Sequence, residues 1–186
     1  MKNFLDKVYI VLVGTTHPGN IGATARAMKT MSQQNLRLVN PLHFPSAEAS
    51  ARAAGADDIL AKSQQFSCLK EAVKDCDLVI GTSARVRGIP WPMLSPRECA
   101  VKISEGSYSS VAIVFGKESS GLSNEELQLC NMVLKIPTNT EYNSLNLAAA
   151  VQIICYEILL LMGTTNGEEF DENNLTLVSQ EKMEQF

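Results

Sequence analysis

The stretch Val8-Tyr9-Ile10-Val11-Leu12-Val13 is an unbroken apolar run, rich in β-branched residues. Such a run is typical of a strand that is buried on both faces, as in a parallel sheet. A glycine-rich loop, predicted over residues 14–22, follows it, and a helix is predicted over residues 23–31. A buried strand, a glycine-rich loop and a helix together indicate the first unit of an α/β fold.

The same alternation continues along the chain. Four further strands are predicted, over residues 36–39, 78–81, 111–115 and 132–136. Four further helices are predicted, over residues 47–54 with Ser46 as N-cap, 68–74, 124–129 with a cap at Ser123, and 145–162. The predicted fold is therefore α/β: a mainly parallel sheet with helices on both faces, in one domain.

Composition excludes several classes of function. The five cysteines are scattered without a CxxC spacing, which argues against a disulfide framework or a zinc site and favours a reducing cytoplasm. The chain has only two histidines, too few for a histidine-rich metal centre, so we expect no metal. The charged start, Met1 to Lys7, does not resemble a signal peptide. Polar residues interrupt the longest apolar run, so we expect no membrane span.

The end of the chain differs from the rest in charge. Residues 163–186 carry six acidic side chains against one lysine, a net charge of −5, and the total of −4 leaves +1 for residues 1–162. We therefore expect one domain over 1–162, followed by an acidic linker within 163–186.

Three loops that follow predicted strands have an unusual composition. They are His17-Pro18-Gly19-Asn20-Ile21-Gly22 with Arg26, Phe115-Gly116-Lys117-Glu118, and the segment from Ile136-Pro137 to Ser144-Leu145-Asn146-Leu147. Ligands of open α/β sheets bind at the carboxyl ends of strands, where such loops meet. The first loop lacks both the P-loop lysine and the GxGxxG spacing. Taken singly, these loops are also consistent with ordinary turns: one capped by Asn20, one capped by Ser123, and one stopped by Pro137 with an N-cap at Ser144.

Taken together and in this order, the three loops resemble the three motifs of the SPOUT (trefoil-knotted) RNA methyltransferases. Gly81-Thr82-Ser83-Ala84-Arg85 and the segment Pro90 to Glu98 are similar to the branch of TrmJ-type tRNA (cytidine/uridine-2'-O)-methyltransferases. The resemblance covers roughly residues 7–162 and implies a catalytic domain over 1–162. Because members of this branch extend beyond the position of residue 186, it further implies that 163–186 contain the start of a C-terminal extension, in a chain that is a piece of a longer protein or a short variant. One departure is Lys117, where the family usually has arginine; lysine keeps the charge but loses the bidentate fork.

The resemblance implies a deep C-terminal trefoil knot and a site for S-adenosylmethionine (AdoMet), with no metal. The residues that it assigns to AdoMet binding are Thr82, Ser83, Ala84, Gly116, Glu118, Ile136, Asn143, Ser144, Leu145 and Asn146. The residues that it assigns to catalysis are Arg26, Ser144 and Asn20, and Arg26, Arg85 and Arg87 are assigned to RNA binding. Arginine is a poor base because its pKa exceeds about 12, so we expect Arg26 to clamp a phosphate.

The resemblance further implies a cytoplasmic homodimer, in which Arg26 of one subunit reaches the site of the other. The implied substrate is tRNA, which is methylated at ribose 32 of the anticodon loop. Two alternatives stay open at this point. One is a non-catalytic RNA- or AdoMet-binding paralogue with the same fold. The other is a nucleotide-binding α/β domain that does not methylate.

Overall fold

A computed structural model describes residues 4–84 and 92–166, with side chains described through 161. A short 3-10 helix over Phe4–Lys7 comes first. The strands are β1 (Val8–Val13), β2 (Asn35–Val39), β3 (Gln64–Phe66), β4 (Leu78–Thr82), β5 (Met93–Leu94), β6 (Val111–Phe115) and β7 (Met132–Leu134). The helices are α1 (Pro18–Thr30), α2 (Ala47–Ala53), α3 (Asp57–Lys62), α4 (Leu69–Ala72), α5 (Pro96–Glu105), α6 (Asn124–Leu127) and α7 (Leu147–Asn166).

The seven strands form one sheet in the order β3-β2-β1-β6-β4-β7-β5. Every pairing between these strands is parallel. β1 lies between β2 and β6, so that Val11 is in register with Arg37 on one side and with Val114 on the other. The chain builds β2 and β3 on one side of β1 and then crosses to the other side, where β6 lies between β1 and β4. This reversal creates a crevice between the carboxyl ends of β1 and β6, which is where α/β sheets bind ligands.

Helices cover both faces of the sheet, and β1 shows how the sequence achieves this. Val8, Ile10 and Leu12 face a core built with α1, α2, α3, α5 and α7. Val11 and Val13 face a second core, which contains residues of α4 and α6. Because successive side chains of a strand point to opposite faces, a strand buried on both sides must be apolar at every position. The unbroken run at 8–13 satisfies that requirement, and the predicted α/β class is confirmed.

The structure corrects several predicted boundaries. α1 begins at Pro18 rather than at residue 23, because proline is well tolerated in the first turn of a helix. The strand predicted over 132–136 ends at Leu134, the helix predicted over 68–74 spans Leu69–Ala72, and α7 continues to Asn166 instead of ending at 162. The N-caps predicted at Ser46 and Ser123 are confirmed, since each serine hydroxyl accepts a hydrogen bond from a backbone N–H.

Four elements were not predicted. β3 and β5 have three and two residues, too few to produce a recognisable pattern. α3 and α5 were also missed. α5 nevertheless carries a clear signal, since Ser95 and Glu98 form a reciprocal capping box and Pro96 occupies the first turn.

Candidate active site

A cavity of about 200 Å³ lies at the carboxyl ends of β4, β6 and β7. It brings together three segments that are far apart in the sequence: the end of β4, the loop after β6, and the segment between β7 and α7. Nine of the residues expected to bind a cofactor line it: Thr82, Ser83, Ala84, Gly116, Glu118, Ile136, Asn143, Ser144 and Leu145. The end of β4 and two of the three loops noted in the sequence therefore form one pocket, whereas the first loop, which follows β1, does not line it.

Other residues of the cavity were not assigned to cofactor binding from the sequence: Phe115, Lys117, Ser119, Ser120, Gly121, Leu122, Leu134, Thr138, Leu147 and Ala150. Most of them are neighbours of the predicted residues in the same loops. Leu147 and Ala150 are different, because they come from the first turn of α7 and share a face of that helix. The lining combines apolar side chains with hydroxyl groups and loop backbone, which suits a ligand that is partly apolar and partly polar.

Three predicted residues do not line the cavity: Asn20, Arg26 and Asn146. Arg26 is exposed on α1, and within the described chain it forms neither a salt bridge nor a hydrogen bond to another side chain. Arg85 and Arg87, the predicted RNA contacts, lie outside the described residues. The assignments of these residues stay predictions.

Glu118 joins the loop after β6 to the loop after β1. Its carboxylate accepts hydrogen bonds from the backbone N–H of Thr16 at 3.1 Å and of His17 at 3.3 Å. It also accepts from the Thr16 hydroxyl at 3.1 Å and from the Asn20 side-chain amide at 2.9 Å. These contacts span the crevice between β1 and β6. One carboxylate therefore fixes the first loop and the start of α1 against the second loop.

Asn20 and Asn146 extend this connection to the third loop. The Asn146 amide nitrogen donates to the Asn20 side-chain oxygen at 3.0 Å. The Asn146 side-chain oxygen accepts from the backbone N–H of Ala148 at 2.9 Å, at the start of α7. An ionised carboxylate only accepts, so Asn20 must present its NH₂ group to Glu118 and its oxygen to Asn146. The direction of every hydrogen bond from α7 to Glu118 is thereby fixed. We call Glu118, Asn20 and Asn146 the loop network.

The loop network changes the interpretation of two residues. Asn146 is the residue that caps α7, whereas the interpretation of the third loop as an ordinary turn placed the N-cap at Ser144. Asn20 lies in the first turn of α1 and does not cap it, since the residue that precedes the helix is His17. Ser144 is exposed and lines the cavity, so its hydroxyl is not used to start the helix.

The electrostatics of Glu118 follow from these contacts. Burial by itself raises the pKa of a carboxylate, but the hydrogen bonds from Asn20 and from the backbone of Glu118, Thr16 and His17 outweigh it and lower the pKa of Glu118 from 4.5 to about 2. The side chain therefore carries its charge throughout the physiological range. Because it is ionised and fully occupied by donors, it is suited to holding loops rather than to transferring protons.

Gly116 is required by the loop itself. A Cβ atom at this position would lie 2.1 Å from the carbonyl carbon of Gly121 and 2.2 Å from the backbone nitrogen of Leu122. The structure shows that the backbone of the same loop, folded back by a hydrogen bond from Gly121 N–H to the Lys117 carbonyl, already occupies that space.

The described part of the chain contains no group of three or more histidine, cysteine, aspartate or glutamate residues placed to hold a metal ion. None of its helices is both long enough and apolar enough to span a membrane.

Residues 7–156 match the SpoU rRNA Methylase family. The chain is 57% identical over 155 residues to the tRNA (cytidine/uridine-2'-O-)-methyltransferase TrmJ of Sodalis glossinidius, an alignment that covers 83% of this chain and 61% of the relative. It is 49% identical over 185 residues to TrmJ of Salmonella choleraesuis, covering 98% of this chain and 76% of the relative.

A solved structure of a probable methylase family protein from Haemophilus influenzae superposes with a TM-score of 0.84 at 41% identity, covering 97% of this chain and 76% of that one. The chain thus spans about 60–75% of the length of the curated relatives that it matches. The similarity extends over the strands, the three loops and α7, and the resemblance noted in the sequence is confirmed: this chain belongs to the SpoU methylase family and, within it, to the TrmJ proteins.

Proposed function

We propose that this chain is an AdoMet-dependent methyltransferase that methylates the 2'-hydroxyl of a ribose in tRNA, at position 32 of the anticodon loop. The observation that carries the proposal is one cavity built from the end of β4 and from two of the three loops, with the loop after β1 held against those two by the loop network. The names of the relatives agree, since both TrmJ proteins are tRNA (cytidine/uridine-2'-O-)-methyltransferases.

The lining of the cavity fits AdoMet by its chemistry. Leu134, Ile136 and Leu145 offer apolar surface for an adenine ring, and the serine and threonine side chains with the loop backbone offer partners for a ribose and an amino acid. When bound, AdoMet supplies a methyl group to an in-line nucleophile and leaves as a neutral thioether. The residues of this chain then have to align a ribose hydroxyl with that methyl group and exclude water.

Ser144 and Arg26 are the residues that we assign to the acceptor ribose. Ser144 is exposed at the cavity, so its hydroxyl can orient the attacking 2'-oxygen. Arg26 clamps the neighbouring phosphate; a guanidinium stays protonated and forms charge-assisted hydrogen bonds with phosphate oxygens. The side-chain amide of Asn20 is hydrogen-bonded to both Glu118 and Asn146, so Asn20 holds these residues in place and does not contact the substrate itself. We therefore assign it to positioning.

Arg26 does not line the cavity of its own chain, and we propose that it completes the cavity of a second copy in a homodimer. α7 exposes an apolar stripe of Ala149, Ile153, Tyr156 and Leu160, with Tyr156 47% and Leu160 38% exposed. These residues recur every three or four positions and so lie on one face of the helix. We define them as the α7 stripe. Its contiguous apolar surface suits an interface between identical subunits.

Arg26 lies one helical turn before a contact between α1 and α7. Thr30, which follows Arg26 by one helical turn on α1, contacts Gln152 of α7 at 3.5 Å between side-chain oxygens. Gln152 is in turn adjacent to Ile153. A partner that packs on the stripe therefore comes close to Arg26.

The same proposal includes three further features: a trefoil knot around the cavity, a catalytic domain over 1–162 and a cytoplasmic location.

The central test is transfer of labelled methyl groups from AdoMet to unmodified tRNA, followed by mass spectrometry of the nucleosides. We expect 2'-O-methylcytidine or 2'-O-methyluridine from the anticodon loop. A chain that binds AdoMet and tRNA but never transfers a methyl group would be the non-catalytic paralogue. A chain that binds ATP rather than AdoMet would be the unrelated nucleotide-binding domain.

Arg26→Ala tests the clamp. We expect methyl transfer to fall by at least about a hundredfold while calorimetry shows unchanged AdoMet affinity, and Arg26→Lys to recover part of the activity. Lys29→Ala is the matched control, because it removes a cation from the same helix that is bound to Asp58 and to the Gly55 carbonyl. Loss of AdoMet binding in Arg26→Ala would contradict the clamp.

Mixing two inactive variants tests the shared site. Arg26→Ala and Ser144→Ala subunits, combined in equal amounts and allowed to exchange, should restore about a quarter of wild-type activity, because half of the dimers are mixed and each has one intact site. Tyr156→Glu should give a monomeric mass in light scattering and no activity. Full activity of a monomer would rule out the shared site.

A further inference from the structure

A second cavity, of about 490 Å³, lies beside the candidate active site at the carboxyl ends of β1 and β2. Its volume is within the range of pockets that hold small organic ligands. The residues that line it are Val13, Gly14, Thr16, Val39, Asn40, Leu42, Cys68, Leu69, Lys70, Lys117, Glu125, Glu126 and Leu129. We call it the flanking cavity. The function proposed above uses none of this space.

The wall of the flanking cavity combines exposed apolar side chains with charge. Leu42 is 50% exposed and Leu129 38% exposed, which is unusual for leucine side chains that line the same hollow. Two cations, Lys70 and Lys117, also border it. Apolar surface beside ammonium groups matches the two halves of a nucleotide, because a base needs a flat apolar contact and a phosphate needs positive charge.

Two carboxylates complete the wall. The carboxylate of Glu126 takes part in the cap of α6, since it accepts a hydrogen bond from the Ser123 backbone N–H at 2.7 Å. Glu125 is exposed. A carboxylate in this position can accept a hydrogen bond from the exocyclic amino group of a base, which a bare phosphate does not offer. The mixture of charges therefore favours a nucleotide over a simple anion.

The flanking cavity adjoins the candidate active site. Lys117 lines both cavities. Its aliphatic stem lies along Gly14, where a Cβ atom would be 2.6 Å from the lysine Cε. Thr16, in the flanking cavity, donates two hydrogen bonds to Glu118, which lines the first cavity. The two cavities are therefore neighbours on the same edge of the sheet, with Lys117 and the contact between Thr16 and Glu118 between them.

We infer that the flanking cavity binds a single unpaired nucleotide of the RNA substrate, adjacent to the methylated one, with its base on Leu42 and Leu129 and its phosphate toward Lys70 and Lys117. The inference rests on the proposed function. It deepens that function by giving the enzyme a contact outside the reacting ribose, and it implies that the substrate presents a single-stranded segment, because a base inside a duplex cannot leave its stack without cost.

Kinetics with variants of the cavity wall test the inference. Lys70→Glu and Leu42→Asp change exposed side chains. We expect each to raise the KM for tRNA about tenfold, with kcat and AdoMet affinity unchanged. Lys62→Glu is the matched control, since Lys62 is exposed on α3 and lines neither cavity. An equal effect of Lys62→Glu would mean that only the general charge of the surface matters, and the inference would fail.

Cys68 provides an independent measurement on the unmodified chain. It lines the flanking cavity and is exposed, whereas Cys99, Cys130 and Cys155 are buried and Cys76 is half-buried. N-ethylmaleimide should therefore label Cys68 first, as read by peptide mass spectrometry. We expect tRNA to slow this labelling at least about fivefold, and AdoMet alone or a duplex RNA of equal length to leave it unchanged.

The outcomes separate the two proposals. Methyl transfer without protection of Cys68, and with a normal KM in Lys70→Glu, overturns the flanking cavity and leaves the proposed function intact. Protection of Cys68 by tRNA in a chain that transfers no methyl group supports the flanking cavity and overturns the proposed function. A chain that binds no tRNA overturns both.

Discussion

Two polar centres of the molecule are each built around one charged side chain. One is the loop network at the carboxyl ends of the strands, and the other is the Arg37 cluster, which consists of Arg37, Asp75 and Tyr9. Arg37 on β2 is 4% exposed and is paired with Asp75 through two hydrogen bonds of 2.7 Å. It also donates to the Ala72 carbonyl at 2.6 Å and stacks 3.8 Å above the ring of Tyr9. Glu118, in contrast, is half-buried and is held by neutral donors from loops.

The difference lies in what each charge does for the molecule. The charge of Arg37 is neutralised by Asp75, so this centre attaches β2 to the segment after α4 and presents no net charge. Among the described residues no cation pairs with Glu118, so its negative charge stays at the wall of a cavity. The first arrangement serves stability. The second arranges three loops, and we expect the two to respond in opposite ways to mutation.

Removal of the Glu118 carboxylate should have the largest effect, and the effect should be on activity. Glu118→Ala leaves the donors of Thr16, His17 and Asn20 without their common acceptor, so the loops lose their relative positions. We expect methyl transfer to fall about a hundredfold, which corresponds to about 2.7 kcal/mol of lost transition-state stabilisation. Glu105→Ala, an exposed carboxylate on α5, is the control in the same tRNA assay.

Glu118→Gln sharpens the result. All side-chain and loop partners of Glu118 are donors, and a glutamine offers one oxygen acceptor instead of two. We expect its activity to lie between that of the wild type and that of Glu118→Ala. Wild-type activity in both variants would show that the loops keep their positions without the carboxylate.

Removal of the Arg37 guanidinium should act on stability instead. Arg37→Met leaves the buried Ala72 carbonyl and the Asp75 carboxylate without a partner. Because Asp75 is 54% exposed and remains hydrated, we expect a loss of about 2 kcal/mol in the free energy of unfolding, below the range for a fully buried pair. Urea titration measures this loss, and methyl transfer per folded molecule should not change.

The control for Arg37→Met is the exposed pair of Lys29 and Asp58, which has a similar distance of 2.8 Å. Lys29→Met should cost less than about 0.5 kcal/mol, because water solvates both partners. Equal losses in the two variants would mean that burial does not distinguish the two pairs.

Asn146→Ala should have a smaller effect that combines stability and activity. The variant loses the N-cap of α7, which costs about 1 kcal/mol, and it loses the donor to Asn20. Asn146→Asp separates the two roles, since a carboxylate still caps the helix but cannot donate to Asn20. We expect Asn146→Asp to keep the stability measured by urea titration and to lose activity. Normal activity of Asn146→Asp would remove Asn146 from the loop network.

The strands and loops of the molecule differ in how far the sequence alone could predict them. The buried strands were predictable because a strand covered on both faces has to be apolar throughout, as β1 and β6 are. The loops were predictable because their composition differs from that of ordinary turns. β3 was missed because its three residues include two glutamines on an edge.

The contacts of both polar centres were not predictable. Glu118 and Thr16 are 102 residues apart, and Arg37 and Asp75 are 38 residues apart. No local pattern links residues over such distances, and only the topology of the sheet brings them together. The N-cap of α7 could not be predicted from the sequence either, because Ser144 and Asn146 are both suitable caps. Packing decides that the helix begins after Asn146.

The smallest predicted effect is the pH dependence of stability that Glu118 contributes. Hydrogen bonds hold its pKa at about 2 in the folded chain, below the ordinary 4.5, despite the opposing effect of burial. A depressed pKa stabilises the folded state fully above about pH 5, and this contribution is lost as the pH falls from 4.5 toward 2. Because the side chain is partly exposed, solvent screening keeps the contribution below about 1 kcal/mol. Urea titrations at pH 6 and pH 3 should show that the wild type loses more stability than Glu118→Gln over this interval. Equal losses would mean that the carboxylate gains nothing from its donors, and the loop network would then resemble the exposed pair of Lys29 and Asp58 rather than a buried centre.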